Sequence, residues 1–262
     1  MKKLEGKVSL VTGGTKNVGK GIALGLGEAG ATVYVTGRSI KEKDVKGITA
    51  AGGKGIAVAC NHKNDDEVQS VFKLIKKNEG KIDVLVNNAW GGYNRLRNRK
   101  AYSGFKWKDP FWKQPIELWE EMNSVGVRSN YVASVYATQI MLKRRQGLIV
   151  NISFYASLKY YGNVIYGVTK ASVDKMTMDM SVELKKSNIA CVSLYPGYIA
   201  DKRKTPNPKK ESAQFVGRAI SALASDPEIM KRTGQILVAA ELAREYGFTD
   251  IDGTQPKPFD TL

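Results

Sequence analysis

Short runs of β-branched and aliphatic residues alternate along the chain with longer stretches whose apolar positions recur every three to four residues. The strand-like runs fall at 8–12, 32–36, 55–60, 84–87, 148–152, 190–194 and 235–238. Between them, a helical pattern follows the first run to about residue 30, and another spans 65–78 with Val68, Val71, Phe72 and Ile75 on one face. Further helical stretches cover about 116–142 and 165–186. Near-continuous apolar strands separated by helices predict a parallel sheet buried on both faces, an α/β doubly wound architecture. No composition shift, low-complexity linker or internal repeat divides the chain, so one domain over 1–262 is expected.

Two segments break the rhythm. Residues 91–115 lie between a strand and a helix where a few residues would suffice, and they carry Tyr93, Tyr102, Phe105, Trp107, Phe111 and Trp112 among many cations. Residues 201–210 form a Lys/Pro-rich stretch after the sixth strand. Long connections at the carboxyl ends of parallel strands are where ligands bind in such sheets, the alternative being a plain surface insertion.

Composition narrows this picture only modestly. The chain of 262 residues is 42% hydrophobic and 25% charged, as in ordinary globular proteins. Its net charge of +16 suggests an anionic partner. The cations are mostly Lys and are spread from Lys2 to Lys257, which favours a solvated basic surface over nucleic-acid readout. Cys60 and Cys191 are too few for a disulfide framework and read as buried free thiols, and with one His they exclude a zinc cluster of familiar spacing. The amino-terminal residues hold no apolar stretch, and no 18-residue window is apolar and uncharged. No secretory signal and no membrane span are expected, and a cytoplasmic setting follows.

Candidate chemistry begins after the first strand, at Val11-Thr-Gly13-Gly-Thr15-Lys16-Asn17-Val18-Gly19. A strand, a tight glycine turn and a helix start present free N–H groups to a pyrophosphate. Asn17 stands where another Gly would be usual, and Asn is the non-Gly residue best suited to a left-handed conformation. A second glycine match, at Gly21, Gly25 and Gly27, has no strand before it and is read as a decoy. After the second strand, Gly37 fills the place of the acidic residue that would bind a ribose 2′-hydroxyl, and Arg38 follows. Two cations, Lys16 and Arg38, and no carboxylate favour a 2′-phosphate, hence NADP(H) over NAD(H).

Tyr166 and Lys170 are one helical turn apart. The spacing alone says little, since Tyr102/Lys106, Tyr155/Lys159 and Tyr198/Lys202 share it. Context separates them: only Tyr166 opens a long helix, 13 residues after Ser153 at the end of a buried strand. An ammonium about 4 Å from a phenol, at an effective dielectric of about 20, favours the phenolate by roughly 4 kcal/mol. Tyr166 could then exchange a proton with a reacting oxygen near neutral pH, with Ser153 bonding the same oxygen.

These residues together resemble the short-chain dehydrogenase/reductase family, from about residue 6 to 199 in consistent order and more weakly beyond. The resemblance implies a Rossmann-type fold. Val86-Asn87-Asn88-Ala89 is similar to the family's NNAG segment over the cofactor, with Trp90 in place of its Gly. Asn123-Ser-Val-Gly126 is similar to its NxxG helix, which implies Asn123 as a fourth catalytic residue holding a proton-relay water beside Lys170. Pro196-Gly197, with Ile199, is similar to its turn beside the nicotinamide. Several tracts, among them Gly147-Leu-Ile-Val150 and Asp250-Ile-Asp-Gly253, are closer to a subgroup of dehydrogenase/reductase member 1 type, described as NADPH-dependent carbonyl reductases of lipophilic carbonyls.

The chain also departs from the family pattern. Asn61 replaces an Asp that accepts from the adenine amino group, Asp201 replaces a Thr at the carboxamide contact, and the usual late DGG is missing. His62 follows the third strand, where a surface or cofactor-rim role is expected rather than acid/base work. Arg95, Arg97, Arg99 and Lys100 fit an acidic ligand or a solvated loop equally. Tyr155, Tyr160, Tyr161, Tyr198 and Trp90 suggest a bulky apolar substrate, or ordinary packing.

The leading expectation is therefore an NADP(H)-dependent oxidoreductase acting on a small-molecule carbonyl or alcohol, with no nucleic-acid partner. The resemblance implies a homodimer or homotetramer through the helices near 116–142 and 166–186. The competing expectation is a basic binding protein that keeps the fold and uses the +16 surface for nucleic acid or an acidic partner.

Overall fold

A computed structural model describes residues 2–92, 104–199 and 210–258. Its strands are β1 (Val8–Val11), β2 (Thr32–Gly37), β3 (Lys54–Ala59), β4 (Val84–Asn87), β5 (Gly147–Ile152), β6 (Ile189–Tyr195) and β7 (Ile236–Val238). All pair in parallel, in the order β3-β2-β1-β4-β5-β6-β7. The order reverses between β1 and β4, where Val11 pairs with Val86, so the crevice outside their carboxyl ends is the switch point where such sheets bind ligands. The doubly wound parallel sheet expected from the sequence is therefore present, Rossmann-like in its order.

The helices are α1 (Asn17–Glu28), α2 (Glu42–Ala50), α3 (Asp65–Glu79), α4 (Glu117–Asn123), α5 (Ser129–Met141), α6 (Val164–Leu184), α7 (Ala213–Ser225) and α8 (Ala239–Tyr246). Successive strand residues face opposite sides. Val33, Val35, Val150 and Val192 pack with Ile22, Leu26, Phe215 and Ile220 from α1 and α7. Tyr34, Ile149 and Cys191 pack on the other side with Phe72, Ile75, Ala137 and Met141 from α3 and α5. Both cysteines are free and buried, and burial pushes their thiols up to about 11 for Cys60 and about 12 for Cys191. Among the described residues, no helix is long and apolar enough to cross a membrane.

Several elements differ from the sequence reading. The helix expected over 116–142 is broken by a π turn at Ser124–Arg128 between α4 and α5. Helix α2 was not anticipated because it buries only Val45 and Ile48, and α7 was not anticipated behind the Lys/Pro-rich stretch despite its apolar face. The glycines dismissed as a nucleotide motif have a packing role. A Cβ on Gly25 would lie 2.6 Å from the Gly217 carbonyl carbon, and Ser221 Oγ donates to Gly25 O at 3.1 Å, so α1 and α7 meet backbone to backbone.

Candidate active site

The glycine turn sits at the switch point. Gly13 has φ +63° and Asn17 φ +46°, so Asn supplies the left-handed conformation expected of it. The Gly13 N–H donates to Thr36 Oγ1 and the Gly14 N–H to Thr36 O, fastening the turn to β2. Thr12 and Asn88 fasten it to β4: Thr12 Oγ1 accepts from the N–H groups of Asn88 and Ala89, and Asn88 Nδ2 donates to Thr12 O and Gly13 O. A Cβ on Gly13 would stand 2.9 Å from Ala89 Cα, and one on Gly19 would collide with the Asn88 amide. Helix α1 starts with no side-chain cap and no acidic residue in its first turn, leaving its positive end to an anion. Thr15 touches Gly37, so the exposed Lys16 and Arg38 leave the backbone from adjacent points. The cradle fits a dinucleotide phosphate.

Farther along the β2–β3 edge, the sequence reading needs correction. His62 is not at the surface: it is 7% exposed, with Nε2 2.7 Å from Thr36 Oγ1. Thr36 Oγ1 also accepts from the Gly13 N–H, and His62 Nδ1 is buried without a hydrogen-bond partner among the described residues. Burial pulls the imidazole down to about 4 against the opposing pull of Glu67, so His62 is neutral at pH 7 and no acid/base candidate. Asn61 is half-buried, and its Oδ1 accepts from the Lys63 N–H.

At the carboxyl ends of β5 and β6, Ser153, Tyr166 and Lys170 come together. Ser153 is buried and donates to Lys170 O at 3.3 Å. The Asn163 side chain caps α6 by accepting from the Tyr166 N–H, which places Tyr166 in the first turn and Lys170 in the second. Lys170 Nζ donates to Ile152 O at 3.0 Å and lies 5.7 Å from the centroid of the Tyr166 ring. Burial pulls the ammonium down to about 8, partly offset by Asp174. The remaining covers are aromatic. Trp90 lies 4.5 Å over Lys170 Nζ and edge-on to Tyr166, and Trp107 meets Tyr166 at 5.2 Å. Phe154 bridges Tyr166 and Tyr161, and Tyr161 neighbours Tyr198.

Asn123 does not join this group. Its amide donates back to Trp119 O, and it lines a shallow outer groove with Arg128, Tyr131 and Met176. Gly126 faces the cluster instead: a Cβ there would stand 2.6 Å from Trp90, so the absent side chain makes room for the indole over Lys170. The π turn carries Gly126 into this position. Tyr160 is 73% exposed and is likewise outside the aromatic group. Sequence reasoning missed Phe154, Asp174 and the contact of Trp107 with Tyr166. The enlarged segment's aromatic content was the available signal for Trp107, and the described part of that segment packs over the site. Gln114 and Asn163 both bond Trp107 O, and Phe105 is buried beside Leu118 and Tyr166. Tyr93, Arg95, Arg97, Arg99, Lys100, Tyr102 and Asp201 lie outside the described residues. Pro196, Gly197 and Ile199 follow β6, where the Gly197 N–H donates to Glu211 Oε1 and Ile199 bridges to Glu211.

A parallel sheet in this order, with a glycine turn at its switch point and a buried Tyr–Lys pair beside it, defines a nicotinamide-dinucleotide oxidoreductase architecture. The family profile described as short chain dehydrogenase matches residues 7–212, and the chain belongs to the short-chain dehydrogenase/reductase family. It is 37% identical to human dehydrogenase/reductase SDR family member 1 over 99% of this chain and 88% of that protein. It is 31% identical to the 3-oxoacyl-[acyl-carrier-protein] reductase of Aquifex aeolicus over 75% of each. A solved chain from Sinorhizobium meliloti 1021, assigned to the short-chain alcohol dehydrogenases, shares the fold with a TM-score of 0.75, at 23% identity over 90% of this chain and 95% of that one.

Proposed function

We propose that the protein is an NADPH-dependent carbonyl reductase, reversibly an alcohol dehydrogenase, built as one cofactor-binding domain whose enlarged segment covers the substrate side. The observation that carries this reading is the Lys170 ammonium, pinned by Ile152 O beneath Trp90 and beside the Tyr166 ring. At about 6 Å and an effective dielectric of about 20, it favours the phenolate by roughly 3 kcal/mol, enough to make Tyr166 a competent proton donor and acceptor. When bound, the nicotinamide supplies or accepts the hydride. Tyr166 delivers the proton to the substrate oxygen, and Ser153 turns its hydroxyl from Lys170 O to that oxygen.

Gly13, Thr15, Asn17, Val18 and Gly19 hold the pyrophosphate, with Asn88 and Ala89 closing the turn. Pro196, Gly197 and Ile199 would hold the nicotinamide end of the cofactor, and Asn61 and His62 the adenine end. Lys16 and Arg38, adjacent and with no paired carboxylate among the described residues, support a 2′-phosphate and hence NADP(H). Trp90, Trp107, Phe154 and Tyr161 support a bulky apolar substrate. A screen of NADPH oxidation over aliphatic, aromatic, steroid and quinone carbonyls, with NADH as control, tests the reading. Turnover of an apolar ketone or aldehyde with NADPH preferred is expected, and no turnover with any carbonyl would refute it.

A further inference from the structure

One turn beyond Lys170, helix α6 buries a carboxyl group, Asp174, that takes no part in the proposed hydride and proton transfer. Asp174 is 4% exposed and faces the sheet. Its Oδ2 accepts from the hydroxyl of Tyr195, the last residue of β6, at 2.5 Å, and that hydroxyl also meets Ser157 Oγ. Its Oδ1 is buried and accepts no hydrogen bond among the described residues. A carboxylate in such a place costs several kcal/mol of lost hydration unless a cation compensates it. An apolar residue would pack there without that cost. Lys170 stands four residues earlier on the same face, beyond direct ion-pair distance, and Asp174 favours its charge across that gap.

Helix α6 presents Tyr166, Lys170 and Asp174. The end of β5 presents Ile152 O and Ser153, the 3₁₀ turn Tyr155–Ser157 presents Ser157, β6 presents Tyr195, and the segment after β4 presents Trp90. Among these groups Asp174 is the one carboxylate. Trp90 occupies the space over Lys170 into which Gly126 opens.

We propose that Asp174 is a positioning residue that serves as the buried counter-charge of Lys170, with the Tyr195 hydroxyl holding its carboxylate in place. The proposal rests on the reading of Tyr166 and Lys170 as the reacting pair. Asp174 touches neither substrate nor cofactor and acts through the ammonium. Without it, an ammonium already desolvated beneath an indole would give up its proton within the working pH range, and Tyr166 would lose its electrostatic support.

The test uses two readouts on the full chain, in wild type, Asp174→Asn and Tyr195→Phe. The first is the heteronuclear NMR titration of the Lys170 ε-amine, assigned by its loss in Lys170→Met. Its midpoint is expected near the value of about 8 in wild type, and about one pH unit lower in Asp174→Asn. Tyr195→Phe, which keeps the charge but frees it to move, is expected to shift it less and in the same direction. The second is the pH profile of kcat/KM for NADPH-dependent carbonyl reduction. The ratio of Asp174→Asn to wild type should fall about tenfold between pH 6 and pH 9 as the alkaline limb moves toward acid. An unmoved midpoint, or a loss of rate equal at every pH, would overturn the proposal. A wild type without carbonyl turnover would refute the proposed reaction alone, because the amine titration still decides whether Asp174 is the counter-charge. If Asp174→Asn does not fold, the Tyr195→Phe titration decides: an unmoved midpoint there overturns the proposal.

Discussion

The Gly197 N–H donates to Glu211 at 2.6 Å, and the Glu211 N–H donates to Tyr198 O at 2.9 Å, so one residue ties the turn after β6 to the entrance of α7. Burial pushes this carboxyl up to about 8, the Gly197 bond opposes the rise, and Asp250 adds to it. The folded chain therefore keeps a proton that the unfolded chain loses near pH 4.5, and stability falls as pH rises from about 4.5 to about 8. Glu211→Gln should remove that slope and exceed wild type at pH 9 by about 2–4 kcal/mol, read from urea midpoints at pH 5 and pH 9. Parallel pH dependences would contradict it. Asn123 carries a different lesson. Its place in a motif was legible, but the partner of its amide, Trp119 O, was not. Asn123→Ala should leave kcat within about twofold, whereas Gly126→Ala drives a Cβ into Trp90 and should destabilise by about 1–3 kcal/mol with reduced turnover. A large loss in Asn123→Ala would support the water-holding role that the family resemblance implies.

Helices α1 and α7 approach so closely that Gly25 and Gly217 admit no side chain. Gly25→Ala should cost about 1–3 kcal/mol and lower Tm by about 3–10 °C in a thermal melt; an unchanged melt would show that the helices separate freely. At this scale the strands were the most legible elements, since mostly aliphatic runs such as 148–152 are too short for a helix and suit a buried strand. Helices with few buried positions were not, as α2 with Val45 and Ile48 shows. The Tyr166–Lys170 pair was legible because helical geometry is local. The roof of Trp90 and Trp107 was not, because it depends on where segments far apart in sequence meet.

Across the whole molecule, the net charge of +16 contributes little to the account of the reaction. The proposed function draws on Lys16 and Arg38 for a phosphate and on Lys170 for a phenol. Others neutralise structure, such as Lys7, Lys81 and Arg144 around the buried Asp83 at the opposite end of β4. Arg38→Ala should weaken NADPH binding about tenfold and leave NADH binding nearly unchanged, with the difference shrinking at high salt, as read by cofactor fluorescence. Equal weakening of both cofactors would argue against the 2′-phosphate assignment. The central claim is that Tyr166 moves the proton while the rest of the site holds cofactor and charge in place. Its most direct test is Tyr166→Phe, with NADPH binding by fluorescence and carbonyl turnover measured on the same sample. The account predicts NADPH affinity within about threefold of wild type and turnover reduced by at least about a hundredfold. A variant that turns over carbonyls at the wild-type rate would contradict it.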